Sequence, residues 1–171
     1  MATTTTPTSW GPIIKAVNET FVYGRFLPRA ARKWEKKAKK LTIQKAGEFR
    51  KKAFEGIFKD LNIYYNKIMT FDSALIAKIN DFSKKEIGEA GLILKHLSEE
   101  REKRLRLMKG IFQVKDPTAF IREVGTFFKD FKQELKLTQH HLKKLSKILK
   151  KTAKEEKKRA SEEQKQQKRK A

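Results

Sequence analysis

Apolar side chains recur at steps of three and four residues along most of the chain, the spacing that puts them on one face of an α-helix. The first run is Ile13, Ile14, Val17 and Phe21. Ser9 can cap it and Pro12 suits its first turn, so the pattern predicts a short amphipathic helix. Gly24 to Pro28 should break that helix, because Pro28 lacks an amide donor and biases Leu27 away from helical geometry. From Ala30 to Lys40 the residues favour helix, but Trp34 is the single large apolar one, so this segment cannot build a core alone.

The middle of the chain carries a longer stripe. Phe54, Ile57, Phe58, Leu61, Tyr65 and Ile68 predict a long helix from about Ile43 to Met69. Asp72 or Ser73 can cap a following segment with Leu75, Ile76, Ile79 and Phe82, and Ser83 to Glu86 matches a capping box ahead of Ile87, Ala90, Leu94 and Leu97. Glu99 to Arg106 is almost wholly charged and reads as a solvated extension held by i,i+4 ion pairs. Asp116-Pro117 is the clearest helix start, an N-cap followed by proline. After it, Phe120, Val124, Phe127, Phe131, Leu135, Thr138, Leu142, Leu145 and Leu149 form one long seam. Beyond Leu149 no Val, Ile, Leu, Met or aromatic residue remains, so the tail is a helix that frays unless a partner orders it.

No strand alternation and no fixed-period repeat interrupts this pattern, and the fold class expected is all-α. The reading divides the chain into a polar leader and basic helix-turn-helix arm over 1–41, a three- or four-helix bundle over 42–149 and a charged helical tail over 150–171. A length of 171 residues is one domain's worth, and 38% hydrophobic residues are sufficient for a core.

Charge changes the picture most. Lys and Arg total 42 against 20 Asp and Glu, a formal net charge of +22 that calls for a polyanion, a membrane surface or counterions. The arm carries nine basic and two acidic residues, and the tail ten and four, so both ends are denser in charge than the middle. With no cysteine, disulfides, thiolate metal sites and thiol nucleophiles are excluded. No apolar run approaches the roughly 18 to 20 residues of a membrane span, and the first ten residues lack the basic and apolar regions of a secretory signal, so a soluble, non-secreted protein is expected.

The densest cluster is Arg25, Arg29, Arg32, Lys33, Lys36, Lys37, Lys39 and Lys40, opposed in that interval by Glu35 alone. Helical spacing lines up Arg25, Arg29, Arg32 and Lys36, with Lys39 and Lys40 continuing the row. Guanidinium forks and mobile ammonium groups in a row suit a phosphate backbone rather than base edges. Seven or eight such cations would cover roughly four base pairs of a duplex. Trp10, Phe26 and Trp34, interleaved with these cations, are expected to pin the arm onto its own or a neighbouring subunit. Catalytic chemistry finds no support: His96 with Glu99 and Glu100 lacks the paired Glu-x-x-His set of bundle metal sites, and His140 and His141 diverge by about 100°. No phosphate loop or nucleophile elbow is present. The expectation is a protein that is not an enzyme and that takes no cofactor or metal.

The layout of Pro12 to Lys40, two short helices broken at Gly24 to Pro28 with the eight cations named above and followed by a bundle, resembles the major capsid proteins of filamentous and rod-shaped archaeal viruses. The resemblance is architectural and covers most of the chain; the charged tail after Leu149 departs from it. It implies a basic arm folded around double-stranded DNA and a dimer, with itself or a related coat protein, that assembles into a helical nucleocapsid in the virion. It also leaves room for contact with a membrane envelope. Two other classes use the same charge: a cellular chromatin- or RNA-associated basic helical protein, and a membrane-surface adaptor using Ile13 to Leu27 as an interfacial helix.

Overall fold

The computed structural model describes residues 10–77 and 84–170, with the backbone alone for residues 84–87. Among the described residues all regular structure is helical. Helix α1 (Trp10–Tyr23) passes through a single 3-10 turn (Gly24–Phe26) into α2 (Leu27–Lys39). A second 3-10 turn (Ile43–Lys45) leads into α3 (Ala46–Ala53), a π-helical segment (Phe54–Phe58) and α4 (Lys59–Ala77). Helices α5 (Lys84–Gln113) and α6 (Pro117–Lys170) complete the chain.

The π segment answers a mismatch in the sequence. Phe49, Ala53, Ile57, Leu61 and Tyr65 are all buried and follow one another at steps of four, each overshooting an α-helical turn by about 40°. A wider turn at Phe54–Phe58 absorbs the drift and keeps the stripe on the core, at the expense of Phe54. Phe54, expected in the stripe, stands 59% exposed and meets Phe112 edge-on, with ring centroids 5.1 Å apart. Asp72 and Ser73 lie inside α4 rather than at a new start. The expected capping box at Ser83 and the side chains of Ile79, Phe82 and Ile87 lie outside the described residues.

Helix α6 is the spine against which α1, α2 and α5 pack, and α4 packs on α1. Asp116 opens it as expected, its Oδ2 accepting from the Ala119 amide at 3.3 Å. Its buried stripe runs from Phe120 through Thr152. Helices α1 and α2 lie antiparallel along it: Trp10 Nε1 donates to Glu156, Ser146 Oγ to Asn18 Oδ1 at 2.6 Å, and Lys132 Nζ to Glu35 at 3.1 Å. At the 3-10 turn Gln139 Nε2 donates to the Phe21 carbonyl at 2.9 Å and Gln139 Oε1 accepts from Tyr64 Oη at 2.8 Å, joining α1, α4 and α6. The absence of a side chain at Gly24 permits this crossing, since a Cβ there would stand 2.4 Å from Gln139 Oε1 and 2.6 Å from a Tyr64 ring carbon. Arg50 of α3 ties down the α5–α6 turn by donating to the carbonyls of Phe112 and Val114 while lying over the Phe120 ring.

Three expectations are corrected by this packing. The segment before residue 42 is no separate arm: Trp10, Ile13, Val17, Leu27, Ala31 and Ala38 belong to the same core as the later helices. Counting large apolar residues undervalued α2, because Ala31 and Ala38 let its backbone approach α6 and Leu27 is fully buried. The Gly24–Pro28 break is likewise a tightened turn within an almost continuous helical path, with Pro28 at a first-turn position where no amide donor is needed. The charged stretch of α5 also differs, since Glu100 and Arg104 are buried as an ion pair, Arg104 Nε to Glu100 Oε1 at 2.5 Å. The guanidinium lies 5.8 Å from the ring centroids of Phe127 and Phe131.

Candidate nucleic-acid interface

Burial fixes how α2 is turned. Leu27, Ala31, Glu35 and Ala38 are buried, and half-buried Trp34 packs on Phe49 and Phe128 with centroids 5.3 and 6.3 Å away. At about 100° per residue these positions fill one arc of roughly 100°, and Arg29, Arg32, Lys33, Lys36, Lys37, Lys39 and Lys40 fall in a separate arc of roughly 160°. All seven, with Arg25 one turn earlier, are exposed. The structure therefore brings all eight expected cations onto one outward face.

Local contacts hold three of them. Arg25 lies 5.2 Å from the Phe21 centroid, Lys37 4.6 Å from the Trp34 centroid, and Lys39 Nζ 3.5 Å from Glu35. Arg29, Arg32, Lys33, Lys36 and Lys40 have no acidic group within 4.0 Å among the described residues. Glu35, the one acid of the segment, is buried and lines the α2–α6 groove. The hydrogen bond from Lys132 holds its carboxyl below the usual range against the opposing effect of burial, with Lys39 adding to the lowering.

Grooves flank α2 on both sides. One, of about 360 Å³, lies between α2 and α6 and is lined by Lys39, Arg122, Gly125 and Lys129 among others. The other, of about 290 Å³, lies between α2 and α3 and is lined by Trp34, Lys37, Lys40, Lys45 and Lys52 with Glu48. Glu48 is engaged by Lys52 at 2.8 Å. The cationic surface thus spans three helices, with α2 as its crest.

The three aromatic residues expected to pin the arm divide. Trp10 is buried and Trp34 packs within the chain, whereas Phe26 is 44% exposed and meets Tyr23 edge-on at 5.5 Å. In the segment Ile13 to Leu27, Ile13, Val17 and Leu27 are buried inside the bundle, whereas Val22 and Phe26 are exposed. No described helix is long and apolar enough to cross a membrane.

The sequence reading missed the basic residues of α6. Arg122, Lys129, Lys136, Lys143 and Lys150 recur every seven residues and are exposed on the face opposite the buried stripe. A signal was available: from Leu135 through Lys154 the chain has no Asp or Glu. It also missed the approach of His96 to His141, whose ring centroids are 4.5 Å apart across the α5–α6 seam. Among the described residues no three His, Cys, Asp or Glu side chains gather as metal ligands.

Comparison with protein-family models, with curated proteins and with solved structures finds no match to this chain.

Proposed function

We propose that this protein is a structural DNA-packaging protein that binds duplex DNA through its phosphates without reading base sequence. Copies of it, or it and a related coat protein, assemble on the DNA into a helical nucleocapsid. The observation that carries the binding part is the face of α2: eight exposed cations on a helix whose other side is locked into the core. A locked helix presents its charges without an ordering cost at the moment of binding. Mixed Arg and Lys suit phosphates, and with no Asn or Gln between Arg25 and Lys40 the segment has no paired reader of adenine. The assembly part rests on the resemblance to the archaeal virus capsid proteins.

One feature favours a second reading. The cationic face is complete within one chain and does not wait for a partner to order it, as a chromatin- or RNA-associated helical protein would require. Electron microscopy of the purified protein on plain duplex DNA separates the two. A coat gives a filament of regular helical pitch; irregular decoration of the DNA overturns the nucleocapsid reading in favour of the chromatin-type one.

A further inference from the structure

We infer that the nucleic-acid path does not end at α2 but continues along the outer face of α6, extending the track along one long helix. This rests on the binding reading above and extends it to residues outside α2. Lys136, Lys143, Lys147, Lys150, Lys151 and Lys154 are all exposed and share the solvent side of α6. The opposite side is fixed by buried Leu135, Leu142, Leu145 and Leu149, and the bonds of Gln139 to Phe21 and of Ser146 to Asn18 set its rotation. The stripe therefore cannot turn away.

Its charges are uncompensated. Glu89 is engaged by Lys144 at 3.1 Å, no acid occurs between Leu135 and Lys154, and at about 100° per residue the flanking acids Glu123, Asp130, Glu134, Glu155 and Glu156 fall outside the lysine arc. Within the stripe Lys143–Lys147, Lys147–Lys151 and Lys150–Lys154 are like-charge pairs at i,i+4, each unfavourable to the helix unless an anion stands over it. A merely solvated face has no reason to exclude every acid over five turns, because interspersed acids would relieve that repulsion. The α2–α6 groove, lined by Lys39, Arg122 and Lys129 with the Lys132-bonded Glu35, borders the α2 face, and Arg122 and Lys129 precede Lys136 at seven-residue steps on the same side of α6.

The length sets the prediction. From Arg122 to Lys157 the helix rises about 52 Å. At about 3.4 Å per base pair that matches roughly 15 base pairs, against roughly four for α2 alone.

The test measures fluorescence anisotropy of the full chain with random-sequence duplexes of about 8, 12, 16 and 24 base pairs. Affinity should climb until about 16 base pairs and then level apart from the added number of positions. A chain carrying Lys136→Gln, Lys143→Gln, Lys147→Gln, Lys150→Gln and Lys154→Gln, with circular dichroism matching the parent, should lose about tenfold or more on the 16-mer and much less on the 8-mer. The same five positions changed to Arg should keep the long footprint. Full affinity already at the 8-mer, or a Gln chain equal to the parent on the 16-mer, overturns the α6 path while leaving α2 as the binding face. Absence of binding at every length overturns both.

Discussion

Arg104 shows how a single residue can be read wrongly from its letter. It is fully buried, its Nε held by Glu100, and its Nη1 and Nη2 have no hydrogen-bond partner among the described residues. Removing one charge leaves the other buried and alone, so Arg104→Ala should cost about 3 to 5 kcal/mol by urea denaturation. Replacing the pair together, Arg104→Met with Glu100→Leu, should be near neutral or stabilising, because both desolvation costs disappear. The other buried nitrogens without partners, His96 Nε2 and His141 Nδ1, lie on the same α5–α6 seam. Burial holds the His141 pKa below its ordinary 6.5, and the neighbouring His96, His140 and Lys144 lower it further. Its unfolded form therefore takes up a proton more readily than the folded one, and stability should fall as pH drops below about 6.5 towards the lower folded value. Thermal melts at pH 8 and pH 5.5 should differ in that direction, and His141→Gln should reduce the difference; an unchanged gap would place the pH dependence elsewhere.

At the scale of elements, the decisive question is whether the first two helices are arm or core. Trp10, Ile13, Val17 and Leu27 are each buried, and at about 1.5 to 3 kcal/mol apiece they carry roughly 6 to 12 kcal/mol. That is comparable to the entire stability of a typical domain, about 5 to 15 kcal/mol. Deleting residues 1–41 should abolish the cooperative melt, whereas truncation after Glu156, which keeps the partner of Trp10, should leave it nearly intact, since residues 157–170 are exposed throughout. A folded 42–171 fragment would restore the separate arm. The helical class, the Asp116-Pro117 start and the α6 seam were legible because each depends on local chemistry or on the 3.6-residue period. The π segment, the buried Glu100–Arg104 pair and the Gly24 crossing were not, because each answers to a neighbour far along the chain. Tyr64 and Gln139 decide what fits at residue 24, and no spacing near Gly24 announces them.

For the whole molecule, the candidate site was legible in its composition and not in its extent. The α2 cations were found because they crowd one short segment; those of α6 are spread at seven-residue steps and become a surface once the buried stripe fixes the helix's rotation. A surface of this kind binds by displacing counterions, so ionic strength is its natural probe. The central claim is met most directly by a filter-binding titration of salt on two unrelated duplex sequences, with the parent and with Arg29→Gln, Arg32→Gln, Lys33→Gln and Lys36→Gln combined. If six or more phosphates are engaged, log Kobs should fall against log salt with a slope of about −5 or steeper, equally on both sequences, and the four-residue variant should lose about three to four of that slope. A slope near zero, or a strong preference for one sequence, would contradict the account.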